Sequence, residues 1–268
     1  LTDMSSNVKI VIPVYQVPLT PQEELSVKQS AKVLHNYPIC FVVPQGLSTE
    51  SLQALVPQAE IIAVSDEWLG RKNGIGGYNR MMMSREFYDL FSDMEYILIC
   101  QPDVWIFRDE LEAWCQKGYD YVGAPWIKPP RYKHFTPRAW LHLQKAFHPQ
   151  RLVHRLDTLG RIGNGGLSLR RVASFRNACA KYQKTIDHFC RHRHHLYNED
   201  VFWAVIPKEF KYPTVEEALG FSFDVKPGLL YEMSGEKLPF GCHGWTKPRL
   251  FKFWKNHIPY TPEPETRQ

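Results

Sequence analysis

Residues 95–100, EYILIC, are apolar at nearly every position. Successive side chains of a strand point to opposite faces, so such a run buries both faces. A strand at the centre of a parallel sheet, between two helix layers, meets that demand. The preceding sequence supplies its neighbours. Residues 9–15, KIVIPVY, 39–43, ICFVV, and 60–65, EIIAVS, are short apolar runs rich in β-branched residues and predict three further strands. Helical signals lie between them. Pro21 suits a first helical turn, with Glu23 and Glu24 near the positive end of the dipole. Gly74, Gly76 and Gly77 lead into a helical pattern over 78–91. This alternation predicts a doubly wound α/β half.

Past Asp103 the pattern loosens. VWIF continues an extended run, DELEAWC reads as a short helix opened by Asp109, and YDYVGAPW as another strand. Residues 127–160 are rich in Pro, His, Arg and Lys and predict an insertion with one or two helices, including one over roughly 137–146. A tight turn and strand resume at 163–171, GNGGLSLRR, followed by helical periodicity over 172–190 and a polar loop over 191–199. Residues 200–205 begin a helix or strand. The tail from about 247 is basic and aromatic and ends in a Pro-rich, disordered-looking stretch.

Composition narrows the class of ligand. A chain of 268 residues with 44% apolar and 23% charged side chains folds as a globular domain. The net charge of +5 suits phosphate-bearing ligands or an anionic membrane face but is too weak to argue for nucleic acid, for which no zinc-finger or RNA-binding signature appears. No apolar run reaches the roughly 18 residues of a membrane span. Six scattered cysteines without a CxxC read as reduced thiols, as in a cytoplasmic protein. The surplus of Trp, Tyr and Phe suits a heavy core first and the stacking of sugar rings second.

Four segments carry chemistry. In 97–107, ILICQPDVWIF, Asp103 follows the buried strand, and ligands of open α/β sheets bind beyond the carboxyl ends of strands. An Asp there can hold a divalent cation that bridges two phosphates, or can serve a turn or cap. In 161–170, RIGNGGLSLR, the glycines let backbone approach a ligand, while Asn164-Gly165 is also a strong hairpin dipeptide. In NEDVFW, Glu199 or Asp200 can accept a proton from an attacking hydroxyl, or the acids can serve a helix start. In PFGCHGW, His243 between glycines is a possible metal ligand, although a lone His is more often structural. His188, His192, His194 and His195 fit no zinc spacing and, interleaved with Arg191 and Arg193, read as a basic solvated loop that can touch an anionic acceptor or a membrane.

In this order the pieces resemble the GT-A glycosyltransferases: a nucleotide-binding α/β half, a DxD-type motif at a strand end (here Gln101-Pro102-Asp103), GNGGLSLR, Asn198-Glu199-Asp200 and a late His243. GIGGYNRMMMSREFYDLF resembles the helix that carries an Ala-Arg-Asn-type motif in such enzymes. From about 9 to 246 the chain resembles a bacterial and fungal family of formerly unknown function regarded as glycosyltransferases.

The resemblance implies a single GT-A-like α/β domain over 1–246. Its mostly parallel nucleotide-binding half, about 9–107, is fused to a smaller, mixed acceptor-side half, about 108–246, and a tail covers 247–268. It further implies that Pro13, Tyr15 and Asp66 contact nucleobase or ribose, that Asn79 and Arg80 face the nucleotide with Arg80 near phosphate, and that Asp103 and His243 bind Mn²⁺ or Mg²⁺. Asn164, Gly165 and Gly166 then line the donor sugar or acceptor, and Asp200, with Glu199 as the alternative, is the base of an inverting transfer. Gln101 departs from the DxD pattern. An amide oxygen is a poorer cation ligand than a carboxylate, so Asp103 carries the direct contact and Gln101 holds ribose or water.

The partners implied are a nucleotide-sugar donor, by family habit UDP-linked, and a glycan or lipid-linked acceptor. The expected location is cytoplasmic, with peripheral contact at the inner face of the plasma membrane through the tail. A non-catalytic carbohydrate- or nucleotide-binding protein on a decayed transferase fold is the alternative. A nucleotidyltransferase ranks low, because the first strand is followed by Gln16-Val17-Pro18-Leu19 rather than a Gly-rich, cationic grip.

Overall fold

The computed structural model describes residues 7–70, 72–128 and 135–260. The chain opens with β1 (Val8–Pro13), α1 (Pro21–Val33), β2 (Ile39–Pro44), α2 (Glu50–Leu55), β3 (Glu60–Val64), α3 (Gly74–Met82), α4 (Arg85–Asp89), β4 (Tyr96–Cys100) and β5 (Val104–Ile106). Next come α5 (Leu111–Gln116), β6 (Tyr121–Val122), β7 (Pro125–Trp126), α6 (Phe135–Phe147), α7 (Arg155–Thr158), β8 (Arg161–Ile162) and β9 (Leu167–Arg171). The last part holds α8 (Val172–Lys181), α9 (Gln183–Cys190), α10 (Glu199–Val205), α11 (Val215–Ala218), β10 (Ser222–Phe223), α12 (Pro227–Met233), β11 (Gly241–His243) and α13 (Pro248–Trp254).

The main sheet runs β3-β2-β1-β4-β9-β6. Its first four strands are parallel, as their apolar runs predict, and β9 joins β4 antiparallel, with Ile97 opposite Arg170 and Cys100 opposite Leu167. The two-residue period sorts the core. Val11, Cys40, Val42, Ile97 and Ile99 pack in one layer. Ile10, Ile12, Phe41, Tyr96 and Leu98 pack in the other. Every residue of β2 and β4 is buried, as a strand covered on both faces must be.

Local chemistry sets the helix ends. Thr20 and Glu23 form a capping box ahead of Pro21, fixing where α1 begins. The helical run expected over 78–91 is two helices, because Ser84 accepts a hydrogen bond from the Phe87 N–H at 3.2 Å and starts a new one. The run over 172–190 is likewise broken at Tyr182, which leaves helical geometry and donates its hydroxyl to Glu209 at 2.7 Å. The strand expected over 119–126 is two short pieces, β6 in the main sheet and β7 in a separate ribbon with β8. The expected helix near 137–146 is α6, followed by the single turn of α7.

A third, smaller sheet, β10-β11-β5, extends the floor of the main one. Its core holds Trp105, Phe223, Cys242 and Trp245, together with Leu250, Trp254 and Ile258 from beyond 247. Trp245 also donates its indole N–H to Ser26 of α1 at 2.8 Å. Thus α13 is packed by its aromatic side chains onto this sheet, and the Pro-rich end from 261 lies outside the described residues. Among the described residues, no helix is long and apolar enough to cross a membrane.

Candidate active site

The carboxyl ends of β1 and β4 open into a cleft of about 600 Å³, at the edge where ligands of such sheets collect. Pro13 and Tyr15 line it from β1, Gln101 and Asp103 from β4, and Ile75 and Tyr78 from α3. Tyr15 is 51% exposed and Ile75 66%, so two large apolar side chains stand open at the cleft wall. Asp66 sits in the exposed turn after β3, beside Leu69 and Gly70, which line the cleft, but is not itself part of the lining.

Asp103 leaves β4 and enters β5. There β11 pairs antiparallel with β5, placing His243 opposite Val104, and the Gly244 N–H donates to the Asp103 carbonyl at 3.1 Å. His243 Nε2 therefore faces Asp103 Oδ1 at 3.3 Å, while Nδ1 lies 3.2 Å from Asp224 Oδ1. Burial alone lowers the basicity of His243, but Asp103 and Asp224 outweigh it and push the imidazole up to about 10. For Asp103, burial raises the carboxyl, and His243 with Lys247 overcomes this and holds it below the usual range.

The pair fits a divalent cation. Two neighbouring ligands on an octahedral ion with bonds of about 2.1 Å stand about 3 Å apart, close to the separation of Nε2 and Oδ1. Asp224 on Nδ1 would fix the tautomer that leaves Nε2 free to coordinate. Among the described residues no group of three or more His, Cys, Asp or Glu side chains forms a complete ligand set. A cation here would draw its remaining ligands from phosphate and water. Asp224 was invisible in the sequence, because FDVKP carries no motif and only the parallel pairing of β10 with β11 brings it beside His243.

The other wall is 164–166. An added Cβ at Gly166 would collide with the His243 ring, and one at Gly165 with the Glu199 carboxylate. The glycines are absences of side chain that let both groups close in. The Asn-Gly hairpin alternative does not hold, since the flanking β8 and β9 pair with other strands and not with each other. Asn164 instead turns its Oδ1 back to accept the Gly166 N–H at 2.6 Å, and its Nδ2, buried, has no partner. A buried amide without a partner is costly and marks a position suited to a ligand oxygen.

Glu199 and Asp200 open α10 but differ in surroundings. Glu199 is 2% exposed, and Arg170, itself 0% exposed, donates from its Nη2 to both carboxylate oxygens, at 3.1 and 3.2 Å. Arg170 also donates to Tyr88 Oη at 2.8 Å and to Ser168 Oγ at 3.0 Å. Burial pushes the Glu199 carboxyl up, and Arg170 opposes that rise. Asp200 is half-buried without such a cation, and burial, then the neighbouring Glu199 charge, raises it to about 7. Arg170 thus holds the Glu199 carboxylate group in place, whereas no such partner grips Asp200.

Asn79 and Arg80 do not line this cleft. Asn79 is 8% exposed and caps α10 from outside, accepting the Glu199 N–H at 3.2 Å and donating to Asn198 Oδ1 at 3.1 Å. Arg80 turns to a separate surface hollow lined by Asp187 and Cys190. The four histidines also divide. His192 stacks on Tyr197 at 4.3 Å with His188 beside it, whereas His194 and His195 line another cavity.

A parallel four-strand half closed by an antiparallel strand, with the site at the strand ends, defines the GT-A fold. Mouse xyloside xylosyltransferase 1, in its apo form, superposes with a TM-score of 0.54 at 11% identity, covering 89% of this chain and 97% of that one. Galactosyltransferase LgtC in complex with donor and acceptor sugar analogs gives 0.53 at 14% identity, covering 95% and 98%. An active-site mutant of LgtC gives 0.54 at 15% identity over the same shares. By sequence the chain belongs to the family described as "Protein of unknown function (DUF5672)", which matches residues 58–243. That stretch includes Asp103, 164–166, Glu199, Asp200, Asp224 and His243. No curated protein matches the sequence.

Proposed function

We propose that the protein is a glycosyltransferase that takes a sugar from a nucleoside-diphosphate sugar, UDP-linked, and passes it with inversion to a hydroxyl of a glycan or lipid-linked acceptor. The observation that carries this reading is the facing pair Asp103–His243, with Asp103 lining the 600 Å³ cleft, Gly166 closed against His243 and Gly165 against Glu199, the residue before Asp200. Pro13 and Tyr15 take the base and ribose, and Gln101 the ribose or a water. Asp103 and His243 would hold Mn²⁺ or Mg²⁺, which would offset the charge of the departing diphosphate. Asn164 Nδ2 donates to a sugar oxygen. Asp200 takes the proton of the attacking acceptor hydroxyl, which forms the new glycosidic bond as the bond to the diphosphate breaks on the opposite face. Arg170 keeps Glu199 in place so that the helix start presenting Asp200 stays fixed. The location that goes with this reading is cytoplasmic, at the inner face of the membrane when the acceptor is a lipid.

The test is a thermal-shift panel of nucleoside diphosphates and nucleotide sugars with Mn²⁺ or EDTA, on wild type, Asp103→Ala and Asp224→Asn. A ligand at a hundred times its Kd stabilises by about 2.7 kcal/mol. One nucleotide is expected to shift wild type only with metal, Asp103→Ala not at all, and Asp224→Asn at roughly 10- to 100-fold more metal. No shift with any nucleotide would remove the donor site and leave a non-catalytic protein on a transferase fold.

A further inference from the structure

The insertion between β7 and β8 encloses a second cavity, of about 340 Å³, separate from the donor cleft. His148, Arg151, His154 and Arg155 line it from the segment after α6, and His194 and His195 from the turn ahead of α10. The remainder of its lining is leucine. Among the described residues, no carboxylate lines it. The nearest acid in sequence, Asp157, is already engaged, accepting Lys145 Nζ on Oδ1 at 2.7 Å and the His154 N–H on Oδ2 at 2.9 Å. Burial, then His194 and Arg155, hold His195 below the usual imidazole range. Two guanidiniums and four imidazoles thus share a concavity with no counter-charge. A concave cluster of one sign focuses its field on whatever anion enters.

The cavity lies close to the start of α10. Asp200 is five positions beyond His195, a span of at most about 17 Å, and α7 packs against α10. We infer that this cavity binds a phosphoryl group carried by the acceptor, beside the hydroxyl that attacks. Arginine forks match phosphate oxygens two at a time. Donors arriving from two separate segments suit a tetrahedral group with three oxygens better than a planar carboxylate with two. The inference rests on the transferase reading for the word acceptor, but the cavity's affinity for phosphate does not.

The experiment uses the full chain labelled with ¹⁵N and ¹³C at histidine, in EDTA and at constant ionic strength. Inorganic phosphate is titrated first, then a hexose 1-phosphate, and the imidazole resonances are followed. The expected result is a saturable shift of His148, His154, His194 and His195, with His35 and His257 unmoved. The hexose phosphate should bind at least as tightly as free phosphate. Arg151→Gln with Arg155→Gln should weaken both titrations at least tenfold with Tm unchanged, since both arginines are exposed. Absence of a saturable shift, or one indifferent to these substitutions, would overturn the site, and preference for free phosphate would overturn its assignment to an acceptor. Because no nucleotide or transfer enters this measurement, a failed nucleotide panel and a failed phosphate titration are separate outcomes.

Discussion

Arg170→Met isolates the buried pair that anchors α10. Arg170 and Glu199 are 0% and 2% exposed and meet through two nitrogen–oxygen contacts at 3.1 and 3.2 Å. Removing one partner leaves the other charge unmatched in a dry site, which costs about 3–5 kcal/mol. For a chain of this size about 1 kcal/mol corresponds to about 2 °C in Tm, so a drop of about 6–10 °C is expected. Replacing both ions with apolar side chains, Arg170→Met with Glu199→Leu, should recover most of that loss, since the desolvation of both charges disappears together.

The pH dependence has a definite sign. Burial already pushes Glu199 up, and Arg170 is what restrains it. Without Arg170 the folded-state value rises further, so the neutral carboxyl is favoured in the fold. That contribution is fully present below the unfolded glutamate value and is lost as pH rises through the raised one. The deficit of Arg170→Met should therefore be smaller at pH 5 than at pH 8. Guanidinium unfolding of wild type, both single variants and the double variant at the two pH values measures all of this. A single variant within 1 kcal/mol of wild type, or a double variant no more stable than Arg170→Met, would refute the reasoning.

Asp200→Asn should stabilise the fold at pH 8 by at most about 4 kcal/mol and hardly at all at pH 4, because the Asp200 carboxyl, raised to about 7, favours its neutral form. Unfolding curves at the two pH values check it. In the same variant sugar transfer should be lost, while the wild-type rate should climb as pH rises through about 7 and Asp200 ionises. Tyr15→Ala should weaken nucleoside diphosphate binding by about 1–3 kcal/mol if the exposed ring stacks on the base, read by calorimetric titration. Gly166→Ala drives a methyl into the His243 ring, so Mn²⁺ affinity should fall at least roughly tenfold, with a stability cost of about 1–3 kcal/mol in denaturant.

The parallel half was legible because strands such as β2 and β4 are apolar on both faces and Pro21, Glu23 and Glu24 mark the start of α1. What escaped were the breaks at Ser84, whose hydroxyl caps a new helix, and at Tyr182, whose backbone leaves helical geometry. Asp103, His243, Glu199 and Asp200 stand out in the sequence because each lies at an abrupt change of pattern. Asp224 and Arg170 were not, since their roles arise from strand pairings distant in sequence. Asn79 and Arg80 are adjacent in sequence, but a helix turn carries them to different sides, where one caps α10 and the other lines another hollow.

The pairing of β5 with β11 works as a calliper. Asp103 and His243 are spaced by a hydrogen-bonded ladder rather than by loops, so their jaws stay set however the surrounding segments vary. Adding or deleting a single residue within 241–243 would turn the imidazole to the opposite face of its sheet. Diversity among relatives in what is transferred, and onto what, should therefore accumulate in the insertion at 127–160 and in the turn before α10, while the length of this three-residue strand stays unchanged.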